Sequence, residues 1–202
     1  MTQIFRCLAL DEYVFKILLL GEFAVGKTSL IQRFVHNSFS HDYNLTIGVN
    51  VMTKVVNVDS TPVTLSIFDF AGQERFREIQ NVFYIGTNAA IYVFDYTRPN
   101  TLESLNRWQY DLFRGVQNEM EVIQLLIGNK IDLKKAINVN AREVQRRAFE
   151  LGCHRFIQTS ALTGEHVDDA FTYIAARLLN QIKQKEREED QILVAESLHS
   201  TI

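Results

Sequence analysis

The sequence predicts an α/β fold, a doubly wound and mostly parallel sheet, and three observations carry that prediction. Six short apolar runs alternate with longer stretches of helical period, as strands joined by crossover helices do. The runs at 17–20, 91–94 and 122–127 are almost continuously Val, Ile, Leu, Tyr or Phe, as strands covered on both faces require. A glycine-rich turn, Gly21-x-x-x-x-Gly26-Lys27-Thr28, separates the first run from a helical stripe. That arrangement puts a ligand site at the carboxyl ends of the strands.

Taken in order, the strand runs are "VFKILLLG" (14–21), "VNVMTKVVNV" (49–58), "VTLSIFDF" (63–70), "AAIYVFDY" (89–96), "VIQLLIGNK" (122–130) and "RFIQTSA" (155–161). The second alternates more than the others, which predicts a sheet edge. After Lys27, the residues Leu30, Ile31 and Phe34 repeat at helical spacing. A further helix begins at Asn100 or Thr101, with Glu103 as the capping-box partner of Asn100 and an apolar face of Leu102, Leu105, Trp108 and Leu112. In the last helix Val167, Ala170, Phe171, Ile174, Ala175, Leu178 and Ile182 share one stripe. The expected organisation is an N-terminal extension (1–12), one domain (13–182) and a tail (183–202). The tail opens on "KQKEREEDQ" and reads as a frayed helix end with partial disorder.

Composition narrows the function. The 202 residues carry 47% hydrophobic and 22% charged side chains, ordinary for one globular domain. A balance of 21 Lys+Arg against 24 Asp+Glu, net −3, argues against nucleic acid as a partner. Cys7 and Cys153 fit neither a metal spacing nor a disulfide framework, which points to a reducing, cytoplasmic setting. The run "VFKILLLG" is broken by Lys16 and is too short to span a bilayer. The start "MTQIFRCLALDEY" lacks the features of a signal peptide, and no Gly follows Met1 for acylation.

The Gly21–Thr28 pattern binds phosphate for a physical reason. A glycine-permitted turn aims successive backbone N–H groups at phosphate oxygens, and the helix N-terminus behind it adds partial positive charge. Phe23, Ala24, Val25, Gly26, Lys27, Thr28 and Ser29 would therefore line a nucleotide. Lys27 sets an ammonium beside the terminal phosphates and the Thr28 hydroxyl can ligate Mg²⁺. By chance the pattern would arise in roughly one chain of this length in a hundred, and the strand-then-helix context lowers that further.

The base is chosen by "LLIGNKIDL", where Asn129, Lys130 and Asp132 follow a buried strand. A carboxylate at Asp132 can accept from both N1–H and the 2-amino group of guanine, whereas adenine presents a lone pair at N1. Two such bonds at ~1.5–3 kcal/mol each discriminate by a factor of a hundred or more.

With "GEFAVGKTSL", "YNLTIGVNV", "IFDFAGQERF", "NKID" and "TSAL" in that order, the chain resembles the Ras superfamily of small GTPases over roughly residues 13–182. "TIGVNV" and "AGQERF" bring it closest to the Rab branch, although Phe68 stands where Rabs usually carry tryptophan. The resemblance implies a P-loop NTPase small G domain, with a six-stranded, mostly parallel sheet and helices on both faces. It implies GTP/GDP and Mg²⁺ as ligands. Phe39 should stack on guanine and Tyr43 should cover the phosphates. Thr46 and Asp69 should join Thr28 around Mg²⁺. The Gly72 N–H should meet the γ-phosphate, and Gln73 should orient the attacking water as the catalytic residue. Ser160, Ala161 and Leu162 should close over the base, Leu162 replacing the usual lysine. Taken singly, Phe39 would read as a loop aromatic in a small core and Gln73 as a surface amide.

Effectors, exchange factors and GTPase-activating proteins are then expected on the exposed surface of 43–50 and 73–84, with the chain a monomer. Rabs end in prenylated cysteines; this sequence ends "LHSTI", so no direct lipid anchor is expected, and any membrane association is indirect. Phe23 stands where Ras has a glycine and where Rabs often carry a small residue, beside the expected γ-phosphate. Its bulk predicts slow hydrolysis unless the ring folds away over Tyr43 or the switch loops. Two alternatives stay open: a mainly GTP-bound scaffold that hardly hydrolyses, and a phosphotransferase, against which the Asp69–Gln73 segment speaks.

Overall fold

Six strands occupy the six apolar runs: β1 (Tyr13–Leu20), β2 (Val49–Val58), β3 (Thr61–Phe70), β4 (Ala89–Asp95), β5 (Ile123–Asn129) and β6 (Arg155–Gln158). The computed structural model describes residues 12–40, 46, 48–70 and 83–199. The strands form one sheet in the order β2-β3-β1-β4-β5-β6. β1 runs parallel to both β3 and β4, and β4–β5 and β5–β6 are parallel too. Only β2 is antiparallel, paired to β3 from Val49↔Phe70 to Val58↔Thr61. The link between them is the two-residue turn Asp59-Ser60, both left-handed at φ 46 and 65. That is the turn whose twist suits a tight hairpin. β2 lies at the edge, as its alternation predicts.

Among the described residues, α1 (Lys27–His36), α2 (Asn100–Glu103), α3 (Leu105–Gly115), α4 (Ala141–Glu150) and α5 (Val167–His199) cover the sheet. Side chains alternate along each strand, so the sheet feeds two cores. On one face Ile17, Leu19, Ile91 and Leu125 pack with Leu30, Phe34, Phe171 and Ile174, and the rings of Phe34 and Phe171 stack at 4.1 Å. On the other Leu18, Leu20, Tyr92 and Leu126 pack with Leu102, Trp108, Leu112 and Val144. β4 and β5 are buried from end to end. Helices on both sides therefore leave only the carboxyl ends of the strands for a ligand.

Several expectations change. The helix at 100 forms no capping box. Pro99, already helical at φ −55, is its N-cap, with no side-chain capping bond, so Asn100 lies inside the first turn rather than before it. The helix also breaks at Ser104, giving α2 and α3 in place of one element. α4 is not anticipated because its apolar stripe is thin: only Val144 and Arg147 are buried. Its start is nevertheless written in Asn140-x-x-Glu143, where the Asn140 side chain accepts from the Glu143 N–H at 2.8 Å. α5 continues as helix through residues 183–199, the segment expected as a frayed helix end and a tail. No helix among the described residues is long and apolar enough to cross a membrane.

Candidate functional site

β1 hands the chain to α1 through the loop 21–26. Gly21 sits at φ +146, where a Cβ would lie 2.2 Å from the Val93 carbonyl oxygen. Gly26, at φ +100, is the N-cap of α1, which has no side-chain cap and no acidic residue in its first turn. The first N–H groups of α1 and its dipole are thus left to an anion. Lys27 follows directly and is buried. Its Nζ donates to the Gly21 and Glu22 carbonyls at 2.7 and 2.9 Å. Burial pulls its pKa down to about 8, and the nearby Arg98 charge lowers it too, against the opposing pull of Asp69 and Glu22. An ammonium this dry gains strongly from an anionic neighbour.

Beside it three oxygen-bearing side chains from three segments converge. The Thr28 hydroxyl donates to Asp69 Oδ2 at 2.5 Å and lies 2.8 Å from the Thr46 hydroxyl, which itself reaches Asp69 Oδ2 at 3.4 Å. Asp69 is buried, and its Oδ1 has no hydrogen-bond partner among the described residues. Burial raises its pKa, against the hydroxyl bonds and the Lys27 charge. A buried carboxylate oxygen without a donor costs free energy, and hard oxygen ligands suit Mg²⁺. The residues therefore fit that ion. No group of three His, Cys, Asp or Glu side chains able to hold a metal occurs among the described residues.

The far end of the site comes from the ends of β5 and β6. Asn129 is buried; its Nδ2 donates to the Val25 carbonyl at 2.9 Å and its Oδ1 accepts from the Ala161 N–H at 3.1 Å. Val25 thus offers its carbonyl while its side chain fills the core. Lys130 Nζ donates to the Ala24 carbonyl at 2.8 Å. Asp132 Oδ1 accepts from the Ser160 hydroxyl at 2.5 Å, and Ser160 Oγ in turn accepts from the Thr163 N–H. These bonds orient the Asp132 carboxylate and fix the loop after β6.

One cavity of about 420 Å³ joins the two ends. Phe23, Ala24, Gly26, Lys27, Thr28 and Ser29 line it on the loop side, with Thr46 nearby. Asn129, Lys130, Asp132, Ala161 and Leu162 line the opposite end, and Phe39 flanks them while packing against the α1 core. Val25, Asp69 and Ser160 act from behind this lining, through the bonds given above. Tyr43, Gly72 and Gln73 lie outside the described residues, as does most of the expected partner surface. One part of that surface needs correcting: Tyr84 is fully buried, its ring 6.1 Å from Phe70, so it belongs to the core and not to an exposed face.

Three side chains unremarked in the sequence shape the site. Arg33 on α1 donates from Nε to the Ala161 carbonyl at 3.0 Å and from Nη2 to the Leu162 carbonyl at 2.6 Å. Asp95, at the end of β4, bonds Lys130 at 2.7 Å and Arg98 at 3.1 Å. The one available signal for Asp95 was its position at the carboxyl end of a buried strand; Arg33 carries none.

A sequence model described as the Ras family matches residues 16–180. The Ras-related protein RABA5b of Arabidopsis thaliana is 39% identical over 87% of this chain and 79% of its own length. RABA2a of the same plant is 37% identical over 89% of this chain and 82% of its own. The Ras-related protein Rab-1 of Theileria parva is 39% identical over 86% and 78%.

Proposed function

The chain belongs to the Ras family, and from that premise we propose that it is a Rab-like small GTPase, binding GTP and GDP with Mg²⁺, hydrolysing GTP and switching partner affinity as it does so. The observation that carries this reading is the pairing across one cavity. A dry lysine and an uncapped helix end stand at one side, and an oriented carboxylate at Asp132 stands at the other. The first suits the phosphates and the second suits guanine.

In this reading Lys27 and the N–H groups of residues 23–29 hold the β- and γ-phosphates. Asp132 accepts from guanine N1–H and the 2-amino group, Phe39 stacks on the ring, and Ser160, Ala161 and Leu162 close over it. Thr28, Thr46 and Asp69 hold Mg²⁺, which when bound neutralises charge on the phosphate oxygens. Gln73 orients the attacking water and the Gly72 N–H meets the γ-phosphate. Loss of that phosphate releases Thr46 and Gly72, and the two loops that carry them relax. Effectors, exchange factors and activating proteins would read that change on 43–50 and 73–83.

A second reading, a mainly GTP-bound scaffold with slow turnover, draws support from Phe23. Phe23 is 37% exposed and lines the same cavity as Lys27, where it would crowd an attacking water.

Multiple-turnover assays with no acceptor present test the proposal. Mg²⁺-dependent release of phosphate from GTP, with ATP inert, supports it. Asp132→Ala should abolish the preference for GTP over ATP; a preference that survives the substitution sinks the guanine assignment.

A further inference from the structure

The phosphate loop is tied at two consecutive carbonyls, and both ties lead back to one carboxylate. Asp95 is 1% exposed at the carboxyl end of β4. Its Oδ1 accepts from the Thr97 N–H at 2.9 Å and the Thr97 hydroxyl at 2.7 Å. Its Oδ2 takes Lys130 Nζ at 2.7 Å and Arg98 Nε at 3.1 Å. Each of those cations then reaches the loop. Lys130 Nζ donates to the Ala24 carbonyl at 2.8 Å, and Arg98 Nη2 donates to the Phe23 carbonyl at 2.9 Å.

The backbone shows what this arrangement holds in place. Ala24 at φ 58 and Lys130 at φ 71 are both left-handed without being glycine. Such residues persist only where their surroundings over-determine them, and here the two strained residues are bonded to each other beside Asp95. Burial alone would raise the Asp95 pKa, but the Lys130 and Thr97 bonds outweigh it and hold the carboxyl below its ordinary range. It is therefore charged at neutral pH. The Arg98 fork is suited to its place, because one nitrogen faces Asp95 while another faces Phe23; an ammonium on a single stem offers no such pair.

We propose that Asp95 is a positioning residue for the nucleotide site: through Arg98 and Lys130 it fixes the Phe23 and Ala24 carbonyls and so keeps the loop N–H groups turned toward phosphate. The inference rests on the guanine-nucleotide reading for its consequence, which is slow nucleotide release. Asp95 itself does not line the cavity. Its loss frees the loop and leaves the contacts of Asp132 with the base intact.

The test uses the full chain with Asp95→Asn, Arg98→Ala and Arg98→Lys. Fluorescent GDP dissociation should quicken at least tenfold in all three, the lysine variant giving no rescue, while the GTP-over-ATP preference stays at the parent value. Amide hydrogen exchange on the nucleotide-free proteins gives a second readout. It should accelerate at residues 21–28 and remain at parent rates in β1 and β5. GDP release within twofold of the parent overturns the inference, and so does exchange that accelerates evenly through the sheet, the mark of a merely structural role. Should the parent chain retain no guanine nucleotide, the functional reading fails, and the exchange pattern alone decides whether Asp95 positions the loop.

Discussion

Replacing Gly26 with alanine tests whether the loop and the base-binding motif are one mechanical unit. The added methyl would stand 2.3 Å from Asn129 Nδ2, far inside the ~3.5 Å of ordinary contact. Asn129 is enclosed and cannot step aside without breaking its bond to the Val25 carbonyl at 2.9 Å. A buried carbonyl left without its donor costs about 1–3 kcal/mol. Holding a non-glycine residue in the backbone state Gly26 occupies, φ +100, adds about 1–3 kcal/mol. The free loop relaxes away from the clash, so the cost is expressed when phosphate draws it back. Together about 2–6 kcal/mol corresponds to roughly 30-fold to 10⁴-fold weaker nucleotide binding. Competition against fluorescent GDP measures it. Gly86→Ala is the control: φ is +73 there and nothing lies within 4 Å, so it should lower the melting temperature and leave nucleotide affinity alone. A Gly26→Ala protein that holds GDP as tightly as the parent would refute the coupling.

Three further outcomes are expected. Phe23→Gly should raise single-turnover GTP hydrolysis severalfold, and an unchanged rate would show that the ring does not obstruct the reacting phosphate. Arg33→Ala removes the bonds to the Ala161 and Leu162 carbonyls; at about 0.5–1.5 kcal/mol each, GDP release should quicken roughly tenfold in stopped-flow, and a parent-like rate would mean that the loop after β6 is held by Ser160 and Asn129 alone. Lys27 gives a pH signature, since burial holds its folded pKa at about 8, below the ordinary lysine value of 10.5. Between those values the unfolded chain binds more protons, so the nucleotide-free protein gains stability as pH rises through that window, and Lys27→Met should flatten the slope in urea titrations. Nucleotide favours the ammonium, so binding above pH 8 should take up a proton, visible in calorimetry as heat that varies with the buffer's ionisation enthalpy.

What could be read from the sequence was what is local in the chain. The phosphate loop spans eight residues and the base motif four, and strand burial is written directly in runs such as "AAIYVFD" and "IQLLIGN". Ties between distant segments were not legible. Arg98 reaches Phe23 across 75 residues and Arg33 reaches Ala161 across 128, and neither arginine sits in a pattern that announces its partner. α4 is not legible because one buried valine makes too thin a stripe to register against its charged surroundings. The full course of α5 past Ile182 is hard to read for a related reason. "KQKEREEDQ" has no apolar face, yet its residues are good helix formers that prolong a helix already nucleated by packing.

The most direct test of the central claim is to purify the chain without added nucleotide, denature it, and identify what it releases by anion-exchange chromatography. A guanine nucleotide should appear near one equivalent: GDP if turnover is brisk, GTP if Phe23 slows it. Release of an adenine nucleotide would contradict the claim that Asp132 and Lys27 grip the two ends of one guanosine phosphate.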